Sequence, residues 1–246
     1  MVKYVDVMKV REAEIGKLVK LLAEKSSSFT EPKLVVTGGY ALRAFTPFSR
    51  STRDCDFVVR KSSGWHLDLV RRWLPRGVSI ETLEKRDVYG YMRWVKLLEF
   101  GKKSAKVSVD FMEGQVRGRT EKQVVAIGDT FVKSCERTKI KIADDECEVF
   151  VPSYADYLIL KVVSGRPSDV RDIAMLIWKS DVPDSIKRRI EEILPHPEVF
   201  EENLKSIIIP TISDKNFLNS WRGTFVTTEL NEDAKNAVIK RIQSLI

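Results

Sequence analysis

The stretch that decides the fold is residues 35–59, VVTGGYALRAFTPFSRSTRDCDFVV. It opens with an apolar run that ends in Gly38-Gly39, which is typical of a buried strand entering a tight turn. A short helix, YALRAF, is predicted after the glycines, and the segment closes with DCDFVV, a second strand. Strand, glycine pair, helix and strand in this order indicate a unit of mixed α and β structure.

Two carboxylates open the second of these strands. Asp54 and Asp56 share one face of a strand, while Cys55 points to the other, because side chains alternate along β structure. The rise of a strand separates the two carboxylates by about 6–7 Å. They repel each other unless a cation lies between them, and Mg²⁺ that also binds nucleotide phosphates would remove the repulsion. The alternative is a solvated strand end.

The glycine pair lies where the first strand ends and the helix begins. A backbone without side chains can approach phosphate oxygens closely, most favourably at a helix N-terminus, although a plain turn is the alternative. Between the glycines and the carboxylates stand Arg50 and Thr52. Arg50 could pair with a carboxylate and lower its pKa, and the Thr52 hydroxyl could close a local turn. The whole combination is much rarer than any of its pieces.

The pattern GGYAL…RSTRDCDFVV resembles the nucleotidyltransferase superfamily of the DNA polymerase β type. It is most similar to the AbiEii/MenT-like branch, the nucleotidyltransferase toxins of type IV toxin–antitoxin systems. The match covers roughly residues 34–60, with a looser match over 153–177. The resemblance implies a magnesium ion on Asp54, Asp56 and a third carboxylate of a later strand. It also implies nucleotide contacts for Gly38, Gly39, Arg50 and Thr52.

The third carboxylate is predicted to be Asp110, in the alternating stretch KVSVDFMEG. Its neighbours Val109 and Phe111 would face the core, so that Asp110 points to the opposite side. Glu113, just past the strand, is the fallback, and a polar residue on an exposed strand face is the alternative for Asp110.

The looser match, SYADYLILKVVSGRPSDVRDIAML, places Lys161 inside an apolar run. A lysine there must reach outward or face an anionic group, and a phosphate of a bound NTP would suit it. The resemblance also implies a nucleotide contact for Asp172, which opens the next predicted helix. A favourable charge on the dipole of that helix is the alternative.

The composition and the hydrophobic pattern of the sequence indicate how the chain is divided into domains. The 246 residues are 43% hydrophobic and 31% charged, which supports a globular core. Strands are predicted at 78–83, 92–100 and 105–112, and an acidic turn at 144–148. After residue 152 the pattern is helical. Helices are predicted at 153–165, 168–180, 183–194, 197–208 and 231–246, and Asn231 is the predicted cap of the last one. We therefore expect a mixed α+β domain over 1–150, with helices flanking a mixed sheet, and the resemblance implies that this domain has the nucleotidyltransferase fold. A helical domain over 151–246 would complete the active-site cleft.

The net charge of +7 and the pI of about 9.2 favour a polyanionic partner. Residues 85–106 and 117–141 each carry seven basic side chains, and Tyr89, Tyr91 and Trp94 could stack on bases. Both features fit a polyanionic partner such as RNA, DNA or a nucleotide, and the resemblance implies RNA. The alternative is that the lysines protect strand edges from pairing.

Other features narrow the class of protein. No apolar run reaches the ~18 residues of a membrane helix, and the early charges of the N-terminus exclude a secretory signal. Three cysteines without CxxC spacing and two histidines argue against a disulfide framework and a soft-metal site. We expect a cytoplasmic protein without a membrane segment.

The predicted reaction is the Mg²⁺-dependent transfer of a nucleoside monophosphate from an NTP to a hydroxyl. By the resemblance, the acceptor is the 3′ end of an RNA, such as tRNA, and a cognate antitoxin is a possible partner. Two alternatives stay open. One is transfer to a protein or small-molecule hydroxyl, the latter predicting an acidic acceptor cleft. The other is a non-catalytic relative that binds RNA or another partner, which predicts an incomplete carboxylate set.

Overall fold

The structure is a computed structural model that describes residues 4–48, 50–76, 79–100 and 103–246. It divides into two compact units, the first Met1–Ala44, Ser51–Val116 and Ile127–Pro152, the second Phe45–Arg50, Arg117–Ala126 and Ser153–Ile246. The second unit thus contains the helical residues after Pro152 together with two short segments from the first 150 residues.

The first unit is built on a seven-stranded sheet. The strands of the chain are β1 (Val35–Thr37), β2 (Asp54–Val59), β3 (Ser79–Arg86), β4 (Tyr89–Phe100), β5 (Lys103–Glu113), β6 (Gln115–Arg117), β7 (Val124–Ala126), β8 (Glu136–Ile142) and β9 (Asp145–Val151). The order in the sheet is β3-β4-β5-β2-β1-β9-β8. The pairs β2–β5 and β1–β9 are parallel and the others antiparallel, so the sheet is mixed. The predicted mixed α+β fold class is confirmed.

One face of this sheet carries the apolar core. The helices of the unit are α1 (Tyr4–Lys25), α2 (Gly38–Ala41), α3 (His66–Trp73) and α4 (Asp129–Ser134), with a 3₁₀ turn at Leu42–Ala44. The Phe57 ring stacks between Phe29 and Phe111, with ring centroids 6.0 and 5.5 Å away. Both α1 and α3 pack on β5, which places the buried alternate residues of the central strands beneath helices. The other alternate residues lie on the opposite face.

The second unit is helical. It contains α5 (Tyr154–Ser164), α6 (Pro167–Ser180), α7 (Ile186–Ile193), α8 (Glu198–Asn203), a π-helical turn (Leu204–Ile208), α9 (Ile209–Ser213), α10 (Phe217–Phe225) and α11 (Glu232–Gln243). Two of its helices, α5 and α11, begin at residues whose side chains cap them. The Ser153 hydroxyl accepts from the backbone N–H of Asp156 to cap α5, and Asn231 accepts from Ala234 N–H, which confirms its predicted role as a cap.

Two local predictions were wrong. Residues 145–148 belong to strand β9 and not to a turn, because Glu146 and Glu148 point outward while Cys147 points inward. The exposed acids pair across the strands, Glu146 with Lys139 at 3.2 Å and Glu148 with Arg137 at 2.7 Å.

Helix α10 was missed altogether. Its start has no side-chain cap, and the sequence signal that could have found it is the helical spacing of the buried Phe217, Trp221 and Phe225. The predicted strand at 78–83 corresponds to β3, but Val78 itself lies outside the described residues.

Candidate active site

The three predicted metal ligands lie on one face of the sheet in the first unit. Parallel pairing of β2 with β5 sets Asp56 directly beside Asp110. Neighbouring strands lie about 4.8 Å apart, and paired residues point to the same side. Asp54, two residues before Asp56, shares that side, which is opposite to the core residue Phe57. Strand pairing therefore brings together carboxylates that stand more than fifty positions apart in the chain.

The two glycines lie against side chains of the same group. Gly38 has a φ of +60°, and a Cβ built on it would lie 1.8 Å from Asp56 Oδ2. A Cβ on Gly39 would lie 2.9 Å from the Thr52 hydroxyl oxygen. No side chain larger than hydrogen fits at Gly38 without moving the Asp56 carboxylate. The Thr52 hydroxyl donates to the Asp54 carbonyl at 3.2 Å, which is the local turn considered from the sequence.

An arginine that the sequence analysis did not select joins this face. Arg93 on β4 pairs across the strands with Asp110. Its Nε donates to Asp110 Oδ1 at 2.7 Å and its Nη2 to Oδ2 at 2.6 Å, a bidentate ion pair. Hydrogen bonding to Asp110 raises the pKa of Arg93 above its usual value, so the guanidinium stays charged. The register of β4 on β5 selects this arginine among its neighbours, and the sequence alone does not give that register.

The three aspartates fit magnesium in two respects. Mg²⁺ prefers carboxylate oxygens, and the three carboxylates lie on the same side of the sheet. Their present arrangement is not that of a complete site. The described ranges contain no group of three or more His, Cys, Asp or Glu residues placed to hold a metal ion. Arg93 donates one hydrogen bond to each oxygen of Asp110. A second lone pair on each oxygen stays open to a cation, so the ion pair and a metal can share this carboxylate, and the metal stays a prediction.

Glu113, the fallback for the third carboxylate, lies on the other face. It is fully buried, and its oxygens accept the backbone N–H groups of His66 and Leu67 at 3.1 and 3.0 Å. These are the first residues of α3, so the carboxylate caps the positive end of that helix. Burial raises the pKa of Glu113 above its usual value, although the two backbone hydrogen bonds act in the opposite direction. Position and partners make Glu113 a structural residue.

The remaining predicted residues belong to the second unit, where they form a buried ion network. Lys161 Nζ donates to Asp169 Oδ1 and to Asp172 Oδ2, both at 2.8 Å. Arg50 donates from Nε to Asp172 Oδ1 at 2.6 Å and from Nη2 to Oδ2 at 2.8 Å. Two cations and two carboxylates therefore balance.

The opposite charges keep Lys161 and Asp172 ionised inside the fold. Burial alone would lower the pKa of Lys161, but Asp169 and Asp172 raise it well above the usual value. Burial alone would raise the pKa of Asp172, but Lys161 and Arg50 hold it below the usual value. From the sequence, Lys161 was expected to reach outward or to face an anionic group, and here it faces a pair of aspartates. Nucleotide contacts for Lys161, Asp172 and Arg50 stay predictions.

Aromatic contacts add to the network around segment 45–50. The Phe45 ring stacks on Tyr157 of α5 with centroids 4.9 Å apart. Phe48 lies 6.1 Å from Trp178 of α6, ring to ring. Together with Arg50 these contacts attach the segment to both helices, and it leads directly into the strand that carries Asp54.

The predicted stacking residues divide between the two faces of β4. Trp94 is 2% exposed and lies on the core face, so the expectation that it stacks on a base was wrong. Tyr89 and Tyr91 are half-buried and share the face of Arg93. Part of the predicted basic charge is also neutralised, since Lys85, Lys96 and Lys106 pair with Asp68, Glu14 and Glu81. Lys102 of the same stretch lies outside the described residues.

The side chains of Cys55, Cys135 and Cys147 are all buried. Within the described part of the chain, no helix has both the length and the apolar character needed to cross a bilayer.

No protein-family model matches this chain, and no curated protein matches it. Two crystal structures of Helicobacter pylori proteins are similar to it over most of their length. A candidate nucleotidyltransferase has 13% identity and a TM-score of 0.49, with 96% of this chain and 92% of that chain covered. JHP933 has 12% identity and a TM-score of 0.48, with 96% and 91% covered. At such low similarity, the activity has to be argued from the residues of the chain itself.

Proposed function

We propose that the protein is a Mg²⁺-dependent nucleotidyltransferase that moves a nucleoside monophosphate from an NTP to a hydroxyl, with the 3′ end of an RNA such as tRNA as the acceptor. The observation that carries the proposal is the pairing of Asp56 with Asp110 on the face that also bears Asp54. Three carboxylates on one side of two strands repel one another; Arg93 pairs with Asp110, and a bound metal ion would offset the charge of the whole set. The sequence pattern GG…RxTxDxD leads to the same class of enzyme, and the type IV toxin role follows only from that resemblance.

The residues have distinct parts in this reaction. Asp54, Asp56 and Asp110 would hold the Mg²⁺, which when bound supplies charge neutralisation for the phosphates and the pyrophosphate leaving group. The backbone at Gly38 offers close approach to a phosphate beside Asp56. A carboxylate oxygen of Asp110 accepts the proton of the acceptor hydroxyl. That hydroxyl oxygen forms a bond to the α-phosphorus, and the bond from the α-phosphorus to the bridging oxygen breaks, which releases pyrophosphate.

A transfer assay tests this proposal. The protein is incubated with Mg²⁺, one α-labelled NTP at a time and total tRNA, beside Asp56→Ala and the matched control Glu146→Ala. Glu146 is an exposed acid of the same sheet, on β9. Label on RNA with the parent protein and the control, but not with Asp56→Ala, supports the proposal and identifies the nucleotide.

Other outcomes separate the alternatives. Label on protein, or on an added small alcohol, would keep nucleotidyl transfer and replace the acceptor. NTP binding unaffected by Asp56→Ala, without transfer to any acceptor, would contradict the reaction and favour a non-catalytic partner-binding protein.

A further inference from the structure

Strand β4 carries a run of three side chains on the carboxylate face of the sheet. Tyr89, Tyr91 and Arg93 alternate along the strand and therefore point to the same side. Pairing with β5 sets Arg93 beside Asp110. Two residues along each strand, Tyr91 lies opposite Met112. Because Asp110 lies beside Asp56, one row crosses three strands from Asp56 to Arg93. We call Tyr89, Tyr91 and Arg93 the acceptor track.

Arg93 keeps part of its guanidinium available within this row. The nitrogens Nε and Nη2 engage Asp110, whereas Nη1 takes no part in that ion pair. The side chain of Arg93 is 33% exposed, against 9% for Asp110. A charged and partly solvated guanidinium beside a catalytic carboxylate is well suited to bind a phosphate group.

Tyr91 offers an aromatic surface next to that cation. Its side chain is half-buried, and the Arg93 guanidinium carbon lies 6.0 Å from its ring centroid. On its other side Tyr91 is opposite Glu84 of β3, an exposed acid that repels phosphate. A base therefore suits Tyr91 better than a phosphate does, and a phosphate suits Arg93.

We infer that the acceptor track binds the 3′-terminal nucleotides of a single-stranded RNA, with a base on Tyr91, a neighbouring base on Tyr89 and a backbone phosphate on Arg93. This inference rests on the proposed function, because Asp110 then receives the proton of the terminal hydroxyl. Stacking on aromatic rings tolerates every base, since each base has a π face. A rise of about 3.3 Å per strand residue separates side chains at i and i+2 by ~6.6 Å, a spacing that extended nucleotides can span.

The test measures binding of a fluorescent single-stranded RNA to the full chain by anisotropy. Tyr91→Ala is expected to weaken binding roughly 10-fold, and Tyr91→Phe to bind within about twofold of the parent, because the phenyl ring still stacks. The matched control is Leu97→Ala, an exposed residue on the same face of β4 beyond the track, with binding unchanged. Equal binding by Tyr91→Ala and the parent protein would overturn the inference.

A second measurement locates the RNA end without any substitution. An RNA with a photoreactive base at its 3′ terminus should cross-link to the peptide that contains Tyr89 and Tyr91, and an RNA with the same base far from the end should not. Cross-links elsewhere would contradict the acceptor track even where a variant fails to fold.

The inference and the proposed reaction can fail separately. RNA binding that depends on Tyr91, without nucleotide transfer to any acceptor, would keep the track and contradict the reaction. Transfer to a protein hydroxyl, with no RNA binding by the parent protein, would keep the reaction and overturn the track.

Discussion

Two clusters of charge differ in their balance and in their exposure. In the helical unit Lys161 and Arg50 meet two aspartates, and every member is largely buried. On the sheet of the first unit, three aspartates share a face with Arg93, and Asp54 and Asp56 are half-buried. A balanced buried network acts as a structural connection, because removing any member leaves an uncompensated charge. A strand face that carries three carboxylates and is open in part to water is suited to bind a metal cation.

This difference between the clusters predicts that substitutions in the sheet cluster lower activity and substitutions in the buried network lower stability. The largest effect is expected for Asp110→Asn. We expect nucleotide transfer to fall roughly 1,000-fold or more, because the residue proposed as metal ligand and proton acceptor is lost. The free energy of unfolding should change by no more than about 1 kcal/mol, since Arg93 is partly solvated. Labelled-NTP transfer and urea unfolding measure the two effects. Full activity in a folded Asp110→Asn protein would remove this cluster from catalysis.

Lys161→Met tests the other cluster. It leaves Asp169 and Asp172 buried with less compensation, and we expect the free energy of unfolding to fall by about 3–5 kcal/mol. Lys205→Met is the matched control, since Lys205 pairs with Glu201 on an exposed helix surface of the same unit, and it should cost no more than about 0.5 kcal/mol. Urea unfolding of both variants decides the point. Equal losses would show that the buried network is no more important than a surface pair.

Gly38→Ala should affect the sheet cluster through the backbone. A left-handed φ costs an alanine about 1–2 kcal/mol, and its Cβ would collide with the Asp56 carboxylate. A displaced metal ligand lowers transfer by roughly 10- to 100-fold. Gly64→Ala, at a position with no atom within 4 Å of the added Cβ, is the control and should leave activity and stability near those of the parent. Full activity of Gly38→Ala would argue that the turn does not position Asp56.

The smallest expected effect is the dependence of the free energy of unfolding on pH. Because the pKa of Asp172 is lowered, its contribution to stability is present above the ordinary aspartate value of about 3.9 and is lost as pH falls through its folded pKa. Because the pKa of Lys161 is raised, its contribution is present below about 10.4 and is lost as pH rises through its folded pKa. The stability difference between the parent protein and Lys161→Met should therefore stay constant from about pH 5 to 9. A difference that falls near pH 7 would contradict the assigned charges.

Prediction from the sequence succeeded where the information is local. The run VVTGGY gave a strand, a turn and a helix because apolar pattern and glycine act over a few residues. The alternation in KVSVDFMEG correctly separated Asp110 from Phe111. The position of Lys161 in an apolar run left two outcomes, reaching outward or facing an anionic group, and the structure has the second. Stacking by Trp94 was wrong because that prediction counted aromatic residues without assigning each to a face of the strand.

The sequence by itself determined the mixed α and β class, the face shared by Asp54 and Asp56, and the change to helices after Pro152. Only the tertiary structure decided that Asp110 lies beside Asp56, that Arg93 holds it, and that Glu113 caps a helix instead. The physical reason is that periodicity fixes the side to which each residue of a strand points. The partner it meets depends on the register between strands that are distant in the chain.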